Sequence, residues 1–206
     1  MCRSVTYPVL AACLVACTGG SLNVPPPAPK AAPGTVAFMG DSITALWDLA
    51  AYDPSPTLNF GVPGDNTLQM LARFHNQVVE SDPVVVVILG GVNDFQERGA
   101  VLTNTDSIEE MASEAQNSGI KVILCSVLPT DYPNPNLNLS EIQAFNQDLF
   151  KIAQKNGYLY ADYYDVMVNA DGTTDDALFA DHIHPNNLGY TRMWAVLSPL
   201  IAEDLK

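Results

Sequence analysis

Four short stretches of this 206-residue chain combine residue types that do chemistry. Gly40-Asp41-Ser42 sets a hydroxyl directly after a glycine and an acid, where an apolar run gives way to a helical one. Asp181-x-x-His184 sets a carboxylate three residues before an imidazole, so that one turn of chain brings the acid to Nδ1. Held so, the ring keeps one tautomer and leaves Nε2 free to take a proton from a hydroxyl. Gly61 lies in Asn59-Phe60-Gly61-Val62-Pro63-Gly64-Asp65, and Asn93 in Gly90-Gly91-Val92-Asn93-Asp94. A backbone N–H from the first and a side-chain amide from the second, with the N–H of Ser42, would hold a developing oxyanion. The chemistry implied is attack of an activated serine on a carbonyl carbon.

Each stretch also has a plainer reading. A serine at a helix start is usually an N-cap, and on that motif alone the cap is favoured. The glycines serve turns, Asn93 suits a turn, and Asp181 and His184 could merely decorate the approach to a helix. Metal is the rival chemistry, because His182 and His184 alternate with acids nearby. An open catalytic metal site wants three protein ligands, and no third cluster supplies them. His75, the remaining histidine, is placed on the apolar face of an early helix.

The elements that must position these residues alternate between strand and helix. Thr35–Met39, Leu58–Phe60, Val84–Leu89, Lys121–Val127 and Tyr158–Tyr163 read as strands, and Val84–Leu89 is β-branched on both faces, as a central parallel strand requires. Thr67–Val79 reads as a helix with Leu68, Leu71, Ala72 and His75 on one face. Ser107 with Glu110, and Ser140 with Gln143, read as capping boxes opening two further helices, the second ending at Gly157. Leu188–Leu205 is the last helix, with Trp194, Leu197 and Ile201 inward. Such alternation predicts an α/β fold with a parallel sheet covered on both sides. Ligands in these folds sit beyond the carboxyl ends of the strands, where all four stretches fall.

Composition bounds the rest. The chain carries 23 acidic and 9 basic residues and a formal charge of -14, which repels nucleic-acid phosphates. Residues 1–16 read as a leader: Arg3, then the apolar run Pro8–Ala16, too short to cross a bilayer. The run ends at Leu14-Val15-Ala16-Cys17 and resembles a bacterial lipobox, which implies a lipidated Cys17, export, and a lipoprotein anchored in the cell envelope by that lipid only. Cleavage removes Cys2 and Cys13 and makes the chain one unit more negative. Cys125 then has no disulfide partner and reads as a core residue. Residues 17–34 hold Pro25-Pro26-Pro27, Pro29 and Pro33 and read as an extended tether, leaving residues 35–206 as one domain.

Taken in order, the four stretches resemble the four blocks of the SGNH hydrolase family, also called GDSL esterases/lipases. The similarity runs from about Thr35 to the C-terminus and includes His184-Pro185-Asn186-x-x-Gly189-Tyr190. It implies a flavodoxin-like three-layer α/β/α sandwich, with Ser42 as nucleophile, His184 as general base and Asp181 as its orienting acid. Gly61 and Asn93 would be oxyanion donors, and neither cofactor nor metal is required. Gly90, an added glycine, and Val92, where relatives often carry Thr, depart from the pattern without touching a catalytic atom. Leu128–Asn136 follows a strand and is expected to wall the pocket; Trp47 and Phe95 either add aromatic surface there or pack in the core. With no long lid visible, the expected substrate is a short-chain ester, acetate above all, on a carbohydrate. A thioesterase or lysophospholipase acting on lipid-derived esters, and a catalytically silent glycan-binding surface module, stay open as alternatives.

Overall fold

The computed structural model describes residues 29–53, 55–97, 105–130 and 139–204. The leader, Cys17, most of the tether and residues 131–136 of the expected pocket wall lie outside them. Among the described residues, the first contacts of the folded unit are made by Lys30, whose ammonium lies 3.2 Å from Asp82, and by Ala31, whose N–H donates to the Ser81 carbonyl.

Five strands form one parallel sheet: β1 (Val36–Gly40), β2 (Thr57–Gly61), β3 (Val85–Leu89), β4 (Lys121–Cys125) and β5 (Leu159–Ala161). Their order is β2-β1-β3-β4-β5. All five residues of both β1 and β3 are buried, which requires helices on both faces. After β2 the chain crosses to the other side of β1, so β1 and β3 flank the point where the winding reverses. Doubly wound sheets open their ligand crevice there.

The helices are α1 (Ser42–Ala45), α2 (Thr67–Phe74), α3 (Val92–Glu97), α4 (Asp106–Asn117), α5 (Leu139–Asn156), α6 (Tyr163–Val166) and α7 (Asn187–Asp204). Alternation along β1 sends Phe38 and Met39 to opposite faces. Phe38 meets Trp47, around which Tyr52, Tyr163, Tyr190 and Trp194 also pack with ring centroids 5.2 to 6.4 Å away. That cluster fastens α7 and α6 to the sheet behind α1. Trp47 and Phe95 are 4% and 5% exposed, so both are core residues. Cys125 is buried as well, and desolvation pushes its thiol up to about 12.

Three local expectations differ from the structure. The inward face of α2 carries Met70, Arg73 and Phe74, followed by Val78 in the π-helical turn His75–Val79, while Leu68 is 54% exposed. His75 points outward, with Nδ1 2.7 Å from Glu114 and Nε2 3.3 Å from Glu80. Neither expected capping box sits at a helix boundary: α4 starts at Asp106 and α5 at Leu139, which puts Ser107 and Ser140 inside their first turns. The capping box that does form opens α2, where Asn66 and Gln69 exchange side-chain and backbone hydrogen bonds.

Candidate active site

The site is assembled at the carboxyl ends of β1, β2 and β3 together with the loop before α7. At the end of β1 the capping duty falls to Asp41, whose Oδ1 accepts the Ile43 N–H at 2.9 Å. Ser42 is therefore the first helical residue rather than the cap. Its hydroxyl is free for other work, and its own N–H lies in the first turn, where helices have no internal partner.

His184 reaches Ser42 from the far end of the chain, with Nε2 2.9 Å from Oγ. Its Nδ1 lies 2.8 Å from Asp181 Oδ2, while Oδ1 of the same acid accepts the N–H groups of Ile183 and His184, each at 2.7 Å. Partial desolvation raises the Asp181 pKa, but the His184 backbone N–H, its imidazole and the Ile183 N–H outweigh it and bring the value down to about 2. An ionised carboxylate only accepts, so Nδ1 carries the ring proton and Nε2 presents a lone pair to the Ser42 hydroxyl. The loop is held from outside this relay. Thr130 Oγ1 donates to the His182 carbonyl, Ala180 N–H donates to the His184 carbonyl at 2.8 Å, and Pro185 is buried.

The expected backbone donor Gly61 is engaged elsewhere. Its N–H donates to Asn59 Oδ1 at 2.9 Å, and Asn59 Nδ2 in turn donates to the Thr44 carbonyl at 2.8 Å. A Cβ on Gly61 would stand 2.2 Å from the Ala45 backbone nitrogen, so glycine is required there for β2 to approach α1. Three residues on, Gly64 is exposed, adopts φ +86 and has no hydrogen-bond partner for its N–H among the described residues. The peptide that follows it is tied to Asn93, whose Nδ2 donates to the Asp65 carbonyl at 2.9 Å and keeps its second hydrogen. Next to Asn93, buried Asp94 accepts from Thr67 N–H at 3.0 Å and Thr67 Oγ1 at 2.6 Å, pinning α3 to the start of α2. The sequence includes Gly64 in this stretch without distinguishing it from Gly61.

Asp41 is the other acid at the site. It is 1% exposed, and Oδ2 has no hydrogen-bond partner. Desolvation raises its pKa to about 7 against the lowering effects of the Ile43 N–H and of His184. Among the described residues no group of three or more His, Cys, Asp or Glu side chains is arranged to hold a metal ion.

Known proteins resemble this chain in sequence and fold. A model of the GDSL-like lipase/acylhydrolase family matches residues 38–192. The platelet-activating factor acetylhydrolase IB subunit alpha1 of Rattus norvegicus is 29% identical over 184 residues, covering 82% of this chain and 77% of its own length. A GDSL-like lipase from Bacteroides thetaiotaomicron superposes with a TM-score of 0.72 at 31% identity, covering 82% of this chain and 88% of its own. An acetyl xylan esterase from Geobacillus stearothermophilus, 18% identical, shares the fold with a TM-score of 0.68 over 84% of this chain and 96% of its own.

Proposed function

We propose, for a chain that belongs to the GDSL-like lipase/acylhydrolase family and is thereby a carboxylic ester hydrolase, that Ser42, His184 and Asp181 form its triad and that short, acetyl-type esters on carbohydrate are its substrates. The observation that carries the reading is the unbroken relay from Asp181 through His184 to Ser42, with contacts of 2.8 and 2.9 Å. His184 Nε2 takes the Ser42 proton as Oγ bonds to the ester carbon. The carbonyl oxygen becomes an oxyanion held by the Ser42 N–H, the free Asn93 amide hydrogen and, in place of Gly61, the Gly64 N–H. Collapse expels the alcohol, protonated by His184. Water then attacks the acyl-enzyme with His184 again as base, and releases the acid.

Three features support a short acyl group and a neutral carrier. The relative from rat is by name an acetylhydrolase. The rings packed around Trp47 fill the space behind α1 where a long acyl chain would need a channel. A surface of net charge -14 disfavours carriers bearing phosphate. A second reading, a lipid-derived ester, draws on Leu46 and Val62, which are exposed beside α1 and the end of β2. We further propose that Cys17 carries a lipid and tethers the domain to a membrane.

The test compares acetyl, octanoyl and palmitoyl nitrophenyl esters, then acetate release from acetylated xylo-oligosaccharides and from an acetylated lysophospholipid. Turnover should be greatest on the acetyl ester and on the sugar; preference for palmitoyl or for the lipid overturns the substrate assignment. A fluorophosphonate probe should label the wild type and leave Ser42→Ala unlabelled. Labelling of neither would point to a silent module.

A further inference from the structure

Arg73 is a buried cation in a chain with only 9 basic residues, and the triad makes no use of it. Its guanidinium is spent on two backbone carbonyls and one carboxylate around the site. Nε donates to Asp65 Oδ2 at 2.6 Å, Nη1 to the Phe60 carbonyl at 2.7 Å, and Nη2 to the Gly40 carbonyl at 2.8 Å. Nη1 also donates to Gln77, one turn along the same helix. Gly40 stands two residues before Ser42. Phe60 is the penultimate residue of β2, the strand that leads into the loop carrying Gly64 and Asp65. Asp65 supplies the carbonyl on which Asn93 rests and follows Gly64 directly. The opposite end of α2 receives Asp94 through Thr67, so one helix grips the chain next to every oxyanion donor named above.

We propose that Arg73, paired with Asp65, is a positioning residue that fixes the spacing among the oxyanion donors at Ser42, Gly64 and Asn93. Stability alone does not explain the choice, because well-packed apolar residues replace buried ion pairs with little loss. Geometry does. A planar guanidinium offers donors in a fixed fork and can hold two carbonyls and a carboxylate in different directions at once; a lysine ammonium is a point charge that cannot. Displacement of donors affects the transition state more than the bound ester, so the loss belongs in kcat rather than KM.

The inference rests on the esterase reading above, and its test is arranged to separate the two. Arg73→Lys and Asp65→Asn are purified, their active sites counted with the fluorophosphonate, and nitrophenyl acetate kinetics expressed per counted site. Both should lose about 10- to 100-fold in kcat, the size expected when catalytic groups move by about an ångström, with KM little changed. The pH profile should keep its wild-type shape, since Asp181 and His184 are untouched. Because Arg73 acts through Asn93, adding Asn93→Ala to Arg73→Lys should cost less than the product of the two single losses. Full kcat per counted site in either folded variant, or strict multiplication of the two losses, overturns the proposal. So does failure of both variants to fold, which would make the pair a structural strut. A wild type that neither hydrolyses nor labels would instead remove the esterase reading itself.

Discussion

At Asp41 the chain buries a carboxyl with one oxygen on the Ile43 N–H and the other on nothing. Its pKa rises from 3.8 to about 7, so between those values the folded protein holds a proton that the unfolded chain has released. Folding stability from this group is complete below about pH 4 and drains away as pH climbs to about 7. Asp41→Asn mimics the protonated form and should flatten that decline. Melting temperatures of wild type and variant taken from pH 4 to 8 should converge at the acid end and separate at the alkaline end; parallel curves would defeat the argument. Asp181 runs the other way. With its pKa lowered to about 2, its contribution is present above pH 3.8 and lost as pH falls toward 2. It is more than half exposed, so its value lies in holding the His184 ring rather than in stability. Asp181→Asn, which misdirects the tautomer, should lower kcat by up to about 10,000-fold with almost no change in melting temperature at pH 7.

The strands and the contact between Asp181 and His184 were readable because each depends on local pattern. The run Val85–Leu89 has no polar residue to suggest an exposed face, and it is buried at every position. The three-residue gap between Asp181 and His184 needs only one turn of chain. What escaped reading depends on partners far away in sequence. Arg73 sits on the inward face of α2, and its charge hides any apolar stripe because the groups that satisfy it, the Asp65 carboxylate and the Gly40 and Phe60 carbonyls, lie on other segments. The expected face of Leu68, Leu71, Ala72 and His75 followed hydrophobicity without that information. Gly61 and Gly64 are indistinguishable as letters, and only the approach of α1 separates a packing glycine from a turn glycine. Two substitutions probe this level. Asn66→Ala breaks the capping box of α2 at a cost of about 1 kcal/mol. In a domain of this size that is a fall of roughly 2–4 °C, read by calorimetry. Gly61→Ala drives a Cβ into the Ala45 backbone and should cost about 1–3 kcal/mol, the range for overpacking, with β2 and α1 forced apart. No change in melting temperature for Gly61→Ala would mean that the contact is slack.

For the molecule as a whole, the proposed lipid anchor at Cys17 lies well before the candidate site in the sequence. The proposed triad belongs to a unit whose first contacts among the described residues are made by Lys30, and residues 17–30 include four prolines. If Cys17 bears the lipid, the wild type expressed with its leader should partition into the detergent phase on Triton X-114 separation. Cys17→Ser should move to the aqueous phase. Its turnover of a soluble ester such as nitrophenyl acetate should equal that of the wild type, because Ser42, His184 and Asp181 sense nothing beyond the folded unit. Aqueous partitioning of the wild type would remove the anchor. A Cys17→Ser protein that is soluble but inactive would show that the tether reaches the site after all.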